Sequence, residues 1–152
     1  MCLITEMTKP ETAPENITVY KVLQVDRNAA GEETLAGPFI NGFFYTPGIT
    51  YTMRRAKFGE RFDDFELRAT YTCVTYGFHS YKFEEGAKKR AELFAELDND
   101  NRKYCVARCV IPKGAQYFQG AFNFSLTEMC SEELVVKEIL YYVQFGKTEP
   151  CA

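Results

Sequence analysis

One stretch of this chain carries a helical period, and the apolar residues elsewhere do not. Phe83, Ala87, Ala91 and Phe94 recur at the three-to-four-residue spacing that gathers side chains on one helix face. That spacing predicts a helix over 83–97, ended by Asp98-Asn99-Asp100-Asn101. Strands are expected on either side of it. Ile17, Val19, Lys21 and Leu23 alternate with Thr18, Tyr20, Val22 and Gln24, which predicts a first strand over 17–25. Leu67, Ala69, Tyr71 and Cys73 alternate with Arg68, Thr70 and Thr72 in the same way. Tyr104–Ile111 sets Cys105, Ala107, Cys109 and Ile111 on one face, and Leu134–Val143 is an almost unbroken apolar run, the mark of a strand deep in a sheet. A single amphipathic helix among several strands has one economical solution. The expected fold class is α+β: a single domain with a mixed, mostly antiparallel sheet and one main helix packed on it.

The remaining segments read as connections. Residues 1–16 hold Pro10, Pro14 and three glutamates, which predicts a flexible N-terminal arm ahead of a single α+β domain over 17–152. Asp26–Gly37 reads as a loop, and Met53–Asp64 as an exposed connection. Pro47-Gly48 is a strong turn signal and predicts a hairpin with aromatic arms, Phe43, Phe44 and Tyr45 before it and Tyr51 after it. Ile111-Pro112-Lys113-Gly114-Ala115 terminates a strand, because proline lacks the ladder donor and glycine allows the bend. It lacks the spacing of a phosphate loop.

Composition removes several classes of function. A net charge of −3 gives no global pull towards nucleic acid or an anionic membrane, and no nucleic-acid or membrane partner is expected. Lys88-Lys89-Arg90 spreads around its helix at about 100° per residue, and both it and Arg54-Arg55-Ala56-Lys57 read as solvated faces. No apolar run is long enough for a membrane span. Six cysteines without a Cys-x-x-Cys pair, and one histidine, predict free thiols and no metal. No cofactor is implied. The expected setting is a reducing cytoplasm, that of a bacterial host. Aromatics stand out, with 13 Phe and 10 Tyr but no Trp. They suit a β-rich core, and tyrosines also line pockets and interfaces.

Candidate chemistry gathers near the histidine. His79, in Tyr76-Gly77-Phe78-His79-Ser80-Tyr81, reads as part of a short turn before the helix. An imidazole titrates near neutrality, and the Ser80 hydroxyl beside it can bond a ligand. Alternatively, His79 is a half-buried turn residue and Ser80 works at the helix start. Sequence neighbours do not make a nucleophile and base, so no catalytic residue is assigned. Glu138 lies inside the last apolar run, where it must face water or find a partner on another strand, because Lys137 points to the opposite face.

The order Val19-Tyr20-Lys21-Val22, Tyr45-Thr46-Pro47-Gly48-Ile49-Thr50-Tyr51, Gly77-Phe78-His79-Ser80, a helix with Glu85 and Ala87, and Ile111-Pro112-Lys113-Gly114-Ala115 resembles a family of short, largely uncharacterised phage and prophage proteins. The likeness covers about residues 17–143 and implies an accessory protein without implying a reaction. A looser resemblance is to ADP-ribosyltransferase-type folds. It sets Lys21 where those place an Arg or His, Ser80 at their serine and Glu138 or Glu133 at their acid. Lysine lacks the bidentate fork of arginine, so this resemblance implies a nucleotide-like pocket more than a transferase.

The reading that follows is a non-catalytic binding protein. Its ligand is small and nucleotide-derived, held by Tyr20, Lys21, Tyr45, His79, Ser80, Tyr81 and Glu138, and sequestering a host signal is one use. The alternative is a protein-interaction or virion-associated module that meets a host or virion protein through its aromatic surface. An ADP-ribosyltransferase-like enzyme is third.

Overall fold

The computed structural model describes residues 3–7, 9–38, 44–53, 61–62, 72–74, 77–97, 101–123 and 126–151. In chain order the elements are β1 (Leu3–Thr5), β2 (Glu11–Thr12), β3 (Ile17–Arg27), β4 (Glu33–Ala36), β5 (Phe44–Tyr45), β6 (Thr50–Thr52), β7 (Arg61–Phe62), β8 (Thr72–Val74) and β9 (Phe78–Tyr81). Then follow α1 (Glu84–Leu97), β10 (Lys103–Ile111), β11 (Gln116–Asn123), β12 (Leu126–Ser131), β13 (Glu133–Gln144) and β14 (Lys147–Pro150). The α+β expectation stands in its coarse form. One large antiparallel sheet dominates, and one helix crosses it.

The centre of that sheet is β13–β10–β3. β10 pairs with β3 along its whole length, from Ile111 opposite Ile17 to Lys103 opposite Val25. The other edge of β3 is shared, with Tyr20 opposite Tyr81 of β9 and Gln24–Arg27 taken by β4. The outer edge of β13 is likewise split between β6 at one end and β14 at the other. Beyond β9 the order continues through β12, β11 and β2.

Both faces of β3 are covered, so its alternation is between two cores. Val19, Leu23 and Val25 join the inner cluster with Leu35, Tyr45, Phe78, Cys105, Cys109 and Leu134. Val22 joins the helix-side cluster with Ala87, Ala91, Ala95, Tyr104 and Val106, and Tyr20 packs against it. The expected common face of Cys105 and Cys109 is the inner one. The apolar run of β13 is deep only at Leu134, Val135, Val136 and Val143; Lys137 and Glu138 are exposed, 139–142 are half-buried, and the run does not alternate. Its pairing with β10 skips Leu140 and Lys137, two bulges that reset which face follows. Inner contacts therefore fall at Leu134, Val136, Ile139 and Tyr142.

α1 begins one residue after the expected start, with Glu84 and Glu85 in a first turn whose dipole favours acids. Ala87 and Ala91 face the sheet as the period required. The rest of the buried stripe is Gly86 and Ala95, small residues that let the backbone lie close. Phe83 lies outside the helix and is exposed, whereas Phe94 leans on Tyr104 with ring centroids 5.8 Å apart.

Several expected connections are structure. Residues 3–5 and 11–12 are strands, not a free arm. β1 pairs with β8 and β2 with β11, and Leu3 is fully buried with Val74, Phe118 and Cys130. β1 crosses β11 at Gly120 so closely that a methyl there would overlap the Ile4 carbonyl. The loop at 26–37 contains the end of β3 and all of β4, because Thr34–Ala36 completes the ladder beside Gln24–Asp26. The connection after Met53 includes β7, paired with β8. Pro47-Gly48 does form a turn between two strands, but they do not pair with each other. β5 pairs with β4 and β6 with β13, so the turn bridges separate parts of the sheet. The strand expected through Leu67, Ala69 and Tyr71, and the basic run at 54–57, lie outside the described residues. Among the described residues no helix is long and apolar enough to cross a membrane.

Candidate functional site

The segment around His79 is the strand β9, not a turn. Its register puts Phe78, His79, Ser80 and Tyr81 opposite Ser131, Cys130, Met129 and Glu128 of β12. Successive side chains therefore leave on opposite faces, and this divides the seven candidate residues.

Lys21 points into the inner face between Val19 and Leu23, among apolar neighbours. It is 8% exposed. Its Nζ donates to the His79 carbonyl at 2.5 Å and stands 5.6 Å from the centre of the Tyr45 ring. Burial pushes the amine down to about 8, and the Cys109 and Cys130 thiols nearby hold part of it up. Tyr45 is itself buried, edge-on to Tyr51 and Phe78, and burial raises its phenol. Ser80 leaves its strand next to the carbonyl that Lys21 bonds. Its hydroxyl is buried and has no hydrogen-bond partner among the described residues. An amine with donors to spare and an unfilled hydroxyl thus lie on one face.

The His79 ring lies on the other face, half-buried, with Nε2 3.9 Å from Cys130 Sγ. Burial pushes the Cys130 thiol up to about 12, and Lys21 lowers it only in part. The pair is therefore an imidazole beside a protonated thiol at neutral pH, not an activated nucleophile. Cys105 and Cys109 are pushed up to about 12 by burial as well. Cys105, Cys109, Cys130 and Cys151 are all unbridged.

Tyr20, Tyr81 and Glu138 also belong to the helix side. They form part of one transverse row, Glu138–Arg108–Tyr20–Tyr81–Glu128, in register across β13, β10, β3, β9 and β12. Glu138 does find its partner on another strand: Arg108 Nε donates to its Oε1 at 2.8 Å. Burial, followed by the Glu128 charge, pushes the Tyr81 phenol up to about 12, and Arg90 draws it back. The structure therefore brings Lys21, Tyr45, Ser80 and the His79 carbonyl together, and sets Tyr20, Tyr81 and Glu138 apart from them. The three residues aligned with a transferase site, Lys21, Ser80 and Glu138, fall on two faces.

Glu128 and Arg108 were not singled out from the sequence, and Arg90 was read only as part of a solvated basic run, whereas its side chain is largely buried. Their signal was available in part. Arg108 sits opposite to the Cys105 and Cys109 face of its strand, and Glu128 is an acid beside Met129 and Cys130. Among the described residues no group of three or more His, Cys, Asp or Glu side chains is placed to hold a metal ion. Comparison with family models, curated proteins and solved structures returns no match.

Proposed function

We propose that this is a non-catalytic binding protein of phage or mobile-element type, acting in a bacterial host cytoplasm on a small, anionic, nucleotide-derived ligand. The observation that carries the reading is Lys21. A buried amine is expensive to keep, and a carbonyl with an aromatic ring compensates it poorly compared with an anion. A phosphate taking the remaining Lys21 donors and the Ser80 hydroxyl would satisfy both groups, with Tyr45 and Phe78 as apolar walls.

A thermal-shift screen with NAD, ADP-ribose and cyclic dinucleotides tests this. A binder at a hundredfold excess over Kd stabilises the fold by about 2.7 kcal/mol. Lys21→Met and Ser80→Ala should remove that shift while the variants stay folded. A screen without hits, or hits that survive both changes, rejects the site.

A protein-interaction module is the second reading, supported by Phe83, Leu93 and Leu97, large apolar side chains exposed on and beside α1. It expects capture of one host or virion protein, weakened by Leu93→Glu and untouched by Lys21→Met.

A further inference from the structure

Glu128 is the most completely enclosed acid among the described residues, at 1% exposure. It lies in register between Gly120 of β11 and Tyr81 of β9, on the face where Arg90 of α1 and the backbone of β1 approach. Neither of its oxygens has a hydrogen-bond partner among the described residues. The Arg90 guanidinium on α1 approaches Oε1 only to 4.0 Å, outside hydrogen-bond reach. Its Nε is buried and also unfilled. Arg90 also acts on Tyr81, whose phenol it draws down.

A carboxylate enclosed in this way forfeits its hydration and gains only a distant cation. A protonated carboxyl forfeits far less. We infer that Glu128 is a proton-binding site at the seam between α1 and the sheet, and that the helix is held most firmly while this carboxyl keeps its proton. The charged and titratable groups facing it are Arg90 from α1, the Tyr81 phenol from β9 and, more remotely, the chain's amino-terminal charge. Burial lifts the carboxyl above its ordinary value, and Arg90 and the amino terminus offset only part of the rise.

The sign follows from proton linkage. The folded state retains a proton that the unfolded chain has already released, so stability falls as pH rises through the folded-state titration. The contribution is complete below the ordinary carboxyl range and lost above the raised one. Ionisation places an unsolvated charge under α1 and draws water into the seam, which is how a change of pH reaches the helix.

Carbon-13 NMR of the glutamate carboxyls in the full chain reads the site directly. Glu128 should titrate above the other glutamates, and Arg90→Met should move it higher still. Glu128→Gln should flatten the fall of Tm as pH rises above the ordinary carboxyl range, by roughly 4 °C for each pH unit by which the titration is displaced. Amide exchange corrected for intrinsic rates should show α1 losing protection with rising pH in the natural chain and not in Glu128→Gln. An ordinary Glu128 titration, an unchanged pH slope in the glutamine variant, or a loss of protection spread evenly over the chain would each overturn the inference.

Discussion

Lys21 and Glu128 are both buried, on opposite faces of one sheet, and the two faces treat their charge differently. On the inner face the amine reaches a carbonyl and an aromatic ring, so its hydrogen-bonding is begun but not completed. On the helix face the carboxylate has a cation in view and no hydrogen bond among the described residues. Burial drives each towards its neutral form, the lysine down and the glutamate up. Their pH signatures are therefore separable. Glu128 costs stability as pH rises through the raised carboxyl range. Lys21 costs stability below about 8 and is relieved as pH climbs from there towards 10.5, where the unfolded chain holds protons that the folded chain has released. The inner face tolerates a charge that can reach a polar group, whereas at Glu128 the helix face offers only a cation beyond hydrogen-bond reach.

The strongest way to break this comparison is to place a second acid on the helix face. Ala91 is fully buried there, and Ala91→Asp should cost about 4 kcal/mol in denaturant unfolding, since the new charge is unpaired. A small loss would mean that the helix face is wetter than its packing indicates. Next is Lys21→Met. A fall from 10.5 to about 8 corresponds to at most about 3 kcal/mol against the charged amine, less the lost hydrogen bond and ring contact. The variant should be more stable than the natural chain at pH 7, with the gap closing by about pH 10.5. A destabilised variant would show that the carbonyl and ring compensate the amine fully. The smallest effect is expected at Glu138→Gln, about 0.5 kcal/mol or less, because both Glu138 and Arg108 are substantially exposed. A larger loss would make that pair part of the buried row it continues.

What could be read beforehand was periodic. The helix over Ala87 and Ala91, the strands at 17–25 and 104–111, and the terminator at Pro112-Lys113-Gly114 follow from local rules of spacing and turn chemistry. β13 did not show its inner face because two bulges break its alternation, and a bulge is decided by the partner strand. β4 and β9 were hidden for a related reason. Each is four residues long and too short for a period to show, and each is a strand because a neighbour supplies its ladder. At the candidate site, Lys21 entered through the transferase-type resemblance and Ser80 through its place beside His79. Their separation from Tyr20, Tyr81 and Glu138 was not visible, because neighbours in sequence on a strand point apart. Glu128 was missed because its burial comes from Arg90 of α1, Tyr81 of β9 and the approach of β1, not from its own segment.

The turn at Pro47-Gly48 links β5, which belongs to the β3–β4 edge, to β6, which belongs to β13. It acts as a clasp between parts of the chain that meet only late. Thr50 cannot find Val135 until most of the chain has been made, and Tyr45 cannot settle beside Leu35 with its turn anchored until Gly48 donates to the Val136 carbonyl. Contacts of such long sequence separation carry a large loop-closure entropy before they return any energy. The inner core with Lys21 at its centre should therefore be the last region to dry during folding, after β3 and β10 are joined. A chain waiting at that step would hold the surroundings of Lys21 open to solvent.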